Sequence, residues 1–229
     1  MGYRGDWYDP IFFRKIYYSS FSKIVAGIFH RFLEKNRSGY YPITLELAAT
    51  HGQHLDFVTH GYGTYILSDF VLNDTLIAKS KEKLNVSVMK LDVRDLSDLT
   101  ENGIDRVVVT CLLHHIEDVP PALEQMVRVL KPETGVIDIL LPNDPSFIWN
   151  LGRIIFTVPK VLLAGKSWKD YWKYVNDEHV NKIDQILLDV KHTALSHNLR
   201  IAYSKIPFDH APEFLTFFTR VSITKQNKN

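Results

Sequence analysis

The sequence contains a single cysteine, Cys111, so no disulfide can form within the chain and nothing speaks for an oxidising compartment. Charge of one sign is missing too: 27 Lys and Arg stand against 26 Asp and Glu, a formal net charge of +1. Proteins that neutralise many phosphates carry a strong basic excess, so no nucleic-acid partner is expected. Long uninterrupted apolar runs are also lacking. The most apolar stretch, residues 147–165, is broken by Arg153, Pro159 and Lys160, and the two charges would be costly in a bilayer core. It reads as a lid or surface helix: integral membrane insertion is not expected, while peripheral association stays open. The opening MGYRGDWYDPIFFRKIYY has neither the apolar core nor the small-residue cleavage site of a secretory signal. A cytoplasmic location is the expectation. There is no internal repeat and no low-complexity tract.

The 229 residues suffice for one well-buried core and are short for two, so a single domain is expected. Over residues 9–35, Ile16, Ile24, Val25, Ile28 and Phe32 fall near one helical face, with Arg14, Lys15, Lys23, Arg31 and Lys35 interspersed. This predicts a helical cap within residues 1–36. Turn residues RSGYYP follow, and the chain then alternates short apolar β-rich runs, at 43–48, 64–68, 86–91, 104–110 and 135–141, with helical or loop connections. In VPPALEQMVRVLKPETG, Leu123, Met126, Val127 and Leu130 repeat at helical spacing until Pro132 and Gly135 stop the helix. An aromatic-rich insert occupies 143–179. NKIDQILLDVKHTAL resumes as an amphipathic helix, and strands at 199–206 and 214–224 close the segment 180–224. Such alternation implies parallel strands joined by right-handed crossovers. The predicted fold is α/β: a doubly wound, mostly parallel, Rossmann-like seven-stranded sheet with an antiparallel edge strand, an N-terminal helix and an insert after the fifth strand.

In an open parallel sheet, ligands sit beyond the carboxyl ends of the strands, where strand order reverses. The residues there form a set. The first strand runs into LELAATHGQH, with Glu46, small Ala48 and Ala49, and Gly52. The second ends at Asp69, the third at Asp92, and the fourth at Thr110 and Cys111.

This array, together with IDRVVVTCLLHHIEDVPPALEQMVRVLKPETGVIDILLPN, resembles the class I S-adenosylmethionine-dependent methyltransferases, in particular the broad group with an LHH segment after the fourth strand. The resemblance covers residues 43–141 and makes them a cofactor-binding core. It implies that Glu46, Ala48 and Gly52 lie against the methionine part of S-adenosylmethionine. Asp69 would accept from both ribose hydroxyls, Asp92 from the adenine amine with the Val93 backbone donating to the ring, and Thr110 and Cys111 would line the path of the methyl. The family commonly has glycine where Ala48 and Thr50 stand here. Ala48 costs little at negative φ, whereas Thr50 would be strained at positive φ.

His114 and His115 are adjacent, so they neither share a helix face nor form a metal-ligand spacing, and no metal is expected. His115 and His179 are the candidates for taking a proton from a hydroxyl acceptor. Tyr17, Tyr18 and Trp149 are candidates for contacting that acceptor. These and Trp168, Tyr171, Trp172 and Tyr174 serve equally well as a small apolar subcore. The expected activity is methyl transfer to a hydroxyl, amine or carboxyl of a small-molecule, sugar, glycan-precursor or lipid-head-group acceptor, with S-adenosylhomocysteine as product. The alternative is a catalytically silent module that binds S-adenosylmethionine. A nicotinamide-dependent oxidoreductase would need the compact GxGxxG turn, which AATHGQH does not supply.

Overall fold

A computed structural model describes residues 20–225. Seven strands form one sheet: β1 (Tyr40–Leu47), β2 (Gly61–Asp69), β3 (Val86–Lys90), β4 (Arg106–Thr110), β5 (Val136–Pro142), β6 (Leu199–Ile206) and β7 (Phe218–Lys225). Their order is β3-β2-β1-β4-β5-β7-β6. The first five are parallel, and β7 runs antiparallel between β5 and the edge strand β6. Strand order reverses between β1 and β4, so a crevice is expected at their carboxyl ends. All seven predicted strands are present, β6 with the predicted bounds and the others with shifted ends. β7 starts at Phe218 rather than 214 because Glu213–Leu215 close a 3₁₀ turn just before it.

The helices are α1 (Ser20–Glu34), α2 (Asp74–Ser80), α3 (Val119–Val129), α4 (Phe147–Gly152), α5 (Val158–Leu163), α6 (Trp168–Glu178) and α7 (Ile183–Ser196). The described part of the predicted N-terminal helix is α1; its earlier residues, with Tyr17 and Tyr18, lie outside the described residues. No α-helix links β1 to β2, where only a 3₁₀ turn, Gln53–Asp56, intervenes. At the end of the α3 connection Gly135 has no room for a side chain: a Cβ there would lie 2.5 Å from Leu130 Cγ and 2.6 Å from the Lys131 carbonyl oxygen. Only glycine allows β5 to start so close to the turn.

Side chains alternate across the sheet, and its two faces differ in character. Leu45, Leu47, Val107, Val109, Ile137 and Ile139 belong to a large apolar cluster shared with α3 and α7. The opposite face carries two smaller apolar clusters: Tyr65 and Leu67 of β2 pack with Ala49, Leu55 and Leu76, and near the carboxyl ends of the central strands Val108, Leu140 and Phe218 pack with Phe29 and Leu33 of α1. Nearer the other end it is charged. Arg106, fully buried, donates to Asp138 (3.0 Å) and to Glu34 of α1 (2.6 Å). Arg37 grips Asp138 through Nε (2.8 Å) and Nη2 (2.7 Å). His54 and His60 lie 3.1 and 3.2 Å from the Glu34 carboxylate. Arg220 donates from Nη1 to the Phe32 (3.2 Å), Leu33 (3.4 Å) and Lys35 (2.7 Å) carbonyls at the end of α1, where orphan acceptors favour a cation.

Burial alone would raise the Glu34 pKa, yet hydrogen bonds from His54 and His60 and the Arg106 charge hold it well below the carboxylate range. Asp138 is likewise lowered: burial opposes, while Arg37 and Arg106 prevail. Burial pushes His30 down to about 3, helped by the charge of His54, and lowers His60 in the same way, helped by Arg106.

Two outcomes follow. Arg106→Met takes the shared cation from buried Asp138 and Glu34, leaving the one to Arg37 and the other to its histidines, so it is expected to cost about 3–5 kcal/mol of stability in urea denaturation; a loss below about 1 kcal/mol would remove the network from the stability of the fold. The second concerns pH. Unfolded His30 and His60 bind protons below about pH 6.5 that the folded chain refuses, and the lowered carboxylates lose their contribution at lower pH still. Stability should therefore start to fall between pH 7 and pH 5, before carboxylates titrate, and a urea midpoint that stays flat over that interval would contradict it.

Candidate functional site

The loop leaving β1 has the backbone of a glycine-rich turn with one glycine in it. Ala48 (φ 54°), Thr50 (φ 52°) and Gly52 (φ 69°) are all left-handed. Ala48 therefore does not take the negative φ at which it would be cheap, and Thr50 is in the strained conformation. The loop is held from outside. Thr50 N donates to Asp69 Oδ2 (2.9 Å), Asn73 Nδ2 donates to the Thr50 carbonyl (2.6 Å), and Ala49 N donates to the Ser68 carbonyl (2.8 Å).

Asp69 thus serves the loop first, also accepting from Val71 N (3.1 Å). A carboxylate offers about four lone-pair directions, so two remain for a pair of hydroxyls such as a ribose presents. Asp92 lies two residues past the end of β3 and is gripped by Arg94 through Nη2 (2.6 Å), Nε (3.0 Å) and the backbone N (3.0 Å). That grip lowers its pKa and leaves roughly one acceptor direction, enough for one amine proton. Val93 beside it is buried. The acceptor set at these strand ends therefore fits an adenosine-bearing cofactor.

Glu46 does not stand with them. Its side chain is buried on the α1 face and accepts from Tyr65 Oη (2.8 Å), and burial raises its pKa. The even spacing from Thr44 puts it on the polar face of β1, which the sequence could not distinguish from the open end of the strand.

Beyond β4, Thr110 is partly exposed and Cys111 takes φ 51°. Burial pushes the Cys111 thiol up to about 12, so it is a neutral wall rather than a nucleophile. The LHH segment folds as a 3₁₀ turn, Leu113–His115, and this reverses an expectation. Adjacent His114 and His115 bring their ring centroids to 3.9 Å, and His179 joins them at 4.5 and 5.4 Å. One ring nitrogen of each lies within 4.8 Å of the others. His114 is buried, which pushes its pKa down to about 2, and its Nδ1 has no hydrogen-bond partner. His179 Nδ1 pairs with Asp144, whose carboxylate is also clasped by Arg153. Burial would raise the Asp144 pKa, but Arg153 and His179 hold it below its usual value.

Sequence reasoning reached His115 and His179 and missed Asp144 and Arg153. Asp144 stands two residues past the end of β5, so the strand-end rule applied to the first four strands would have found it. Arg153 looked like a charge interrupting an apolar run. It is buried on Asp144, between Trp149 (5.5 Å) and Trp172 (5.7 Å). Trp149 itself donates from Nε1 to the Phe217 carbonyl (2.6 Å) and packs on Phe218. Tyr171 is buried with Val161 and Val175 in a small separate cluster. The insert is thus a pair of bent helical segments with its own core and an outer side that exposes Phe147, Leu151, Ile154, Ile155, Leu162 and Leu163. No single helix among the described residues is long and apolar enough to cross a membrane, although Phe147–Leu163 and Trp168–Asp177, bent by 119°, have the length and composition to do so as a pair. A cleft of about 530 Å³ opens elsewhere, between α1 and the β6–β7 connection, lined by Arg31, Phe57, Lys205 and Asp209 among others. None of the strand-end residues lines it, and the strand ends, with their convergent polar groups, are the better ligand site.

The fold is that of a class I S-adenosylmethionine-dependent methyltransferase. Residues 45–137 match the family model described as a methyltransferase domain. Among solved structures it resembles a Methanococcus maripaludis protein assigned as an S-adenosyl-L-methionine-dependent methyltransferase (15% identity, 100% of this chain and 99% of that one, TM-score 0.63). It also resembles a chain of the complex formed by the Haloferax volcanii Trm112 methyltransferase activator (13% identity, 93% and 97%, TM-score 0.62). A third is the N-methyltransferase NodS from Bradyrhizobium japonicum in complex with S-adenosyl-L-homocysteine (13% identity, 91% and 89%, TM-score 0.58). At these identities the likeness is one of fold. No curated protein sequence gives a significant match.

Relieving the left-handed strain gives a direct check on the loop. Thr50→Gly removes a penalty of about 1–2 kcal/mol and adds about 0.5–1 kcal/mol of backbone entropy cost. The variant is expected to be somewhat more stable than the parent in urea denaturation, and a clear loss of stability would show that Thr50 is not strained.

Proposed function

We propose that the chain transfers the methyl group of S-adenosylmethionine to a hydroxyl of a small-molecule, sugar, glycan-precursor or lipid-head-group acceptor. The observation that carries this reading is the His179–Asp144 pair, which stands with His115 beyond the end of β4. The cofactor, when bound, supplies a methyl that is already electrophilic on a sulfonium sulfur. Asp69 and Asp92 hold its ribose and adenine, and the loop 48–52 with Thr110 and Cys111 encloses its methionine end. The chain's remaining tasks are alignment, exclusion of water and removal of the acceptor's proton. His115 and His179 deal with that proton, and a buried carboxylate on Nδ1 orients His179. An amine acceptor would need no such group once neutral. Residues 43–141 act as the cofactor core and 143–179 as the acceptor side of a single domain.

Methyl-labelled S-adenosylmethionine incubated with cell extract should pass its label to a small molecule in a form resistant to base, as an ether is. Labelling no greater than with heat-inactivated protein would favour a silent binding module. For the cofactor site, Asp69→Ala removes the shared acceptor of a charge-assisted set worth about 1.5–3 kcal/mol. Its dissociation constant for S-adenosylhomocysteine should rise by on the order of 10- to 100-fold in calorimetry. An unchanged constant in that folded variant would take Asp69 out of the site.

A further inference from the structure

We propose that His114, His115 and His179 bind a divalent transition metal of the zinc class, with Asp144 as the carboxylate that holds His179 in register. Three imidazoles from two separate segments converge, with one ring nitrogen of each within 4.8 Å of the others. Tetrahedral bonds of about 2.0–2.1 Å require ligand nitrogens about 3.3–3.4 Å apart, a distance that small ring rotations supply. The buried Nδ1 of His114 has no hydrogen-bond partner. Such a group is costly to leave unsatisfied in a folded chain, and a cation bound to Nδ1 itself would satisfy it.

The surroundings match those of a built site. Asp144 accepts from His179 Nδ1, which leaves Nε2 as the ring's lone-pair nitrogen. A carboxylate behind a ligand histidine is the arrangement that fixes its tautomer and raises its basicity at a metal. Arg153 clasps the same carboxylate, with Nη1 at 2.6 Å, so Asp144 is itself fixed. The two segments are joined by backbone bonds, Val180 N and Asn181 N both donating to the His114 carbonyl (3.0 and 3.3 Å), and Asn181 Nδ2 donates to the Ile116 carbonyl. An all-imidazole set favours zinc, cobalt, nickel or copper over magnesium or calcium. Three protein ligands leave a fourth position for water or an acceptor oxygen.

The metal's role, unlike its binding, rests on the proposed function. A hydroxyl bound at the fourth position would be acidified and lose its proton to solvent. Its oxygen would form the new bond to the methyl carbon as the carbon–sulfur bond breaks, the electron pair returning to sulfur. On this account His115 and His179 manage the acceptor's proton through the cation they hold.

The test uses untagged full-length protein, stripped with a chelator and titrated with Co(II). One equivalent should bind with the intense visible absorption of a tetrahedral or five-coordinate cobalt centre, and Zn(II) should abolish that spectrum. His179→Ala should lose it, Asp144→Asn should weaken binding by about 10- to 100-fold, and His192→Ala, on the exposed side of α7, should leave it intact. Because the wild-type titration needs no variant to fold, absence of stoichiometric cobalt absorption overturns the site, as does an unchanged spectrum in folded His179→Ala. Metal binding without methyl transfer to any acceptor keeps the site and sinks the proposed function. Equal transfer rates by stripped and zinc-loaded protein keep the proposed function and overturn the metal's role in it.

Discussion

A single buried guanidinium organises one side of this molecule. Arg106 sits at the start of β4 with no exposure to solvent and holds Glu34 of α1 and Asp138 of β5 at once. Two carboxylates on one cation, with Arg37 on the far side of Asp138, make the desolvation of four charges tolerable, because each is paired and hydrogen-bonded. The consequence is positional. The crossover from β1 to β2 contains only a 3₁₀ turn, so the sheet lacks a helix of its own there, and α1 covers that face. The charged network fixes where its end comes down. Arg220 completes the attachment by occupying the last carbonyls of the helix.

Opposite requirements meet at the ends of the strands. The loop after β1 keeps three left-handed residues, two of which carry side chains, and this strain persists because the surroundings over-determine the conformation. Asp69, Asn73 and the Ser68 carbonyl each hold one of its backbone groups. Asp69 therefore shapes the loop after β1 and still keeps lone pairs open at the strand ends. A loop fixed in advance has little entropy to lose on binding, which offsets the scarcity of glycine.

The insert after β5 is more than a cover. Its first helical segment turns Arg153 inward onto Asp144, two tryptophans flank the guanidinium, and Asp144 passes the constraint on to His179. The insert is thereby tied mechanically to the histidines beyond β4. The outer side of the same segments remains apolar and exposed.

Strand positions, the helix at VPPALEQMVRV and the acids Asp69 and Asp92 were legible because each is a local signal: a period of two or 3.6 residues, or an acid where an apolar run stops. The strand-end rule failed for Glu46 because parity within β1, not nearness to its end, decides which way a side chain points. Arg106 and Asp138 were visible as charges inside apolar runs, but their pairing depends on β4 and β5 being neighbours in register, Val108 opposite Asp138. Likewise, adjacent His114 and His115 looked unable to act together, and a 3₁₀ turn with His179 arriving from beyond the insert brought the three rings into contact. The sequence by itself determined the alternation of elements, the apolar face and the acids that end β2 and β3. Only the tertiary structure decided which charges share a buried site and which histidines meet, because periodicity is set by neighbours along the chain whereas such contacts depend on how distant segments return to one another.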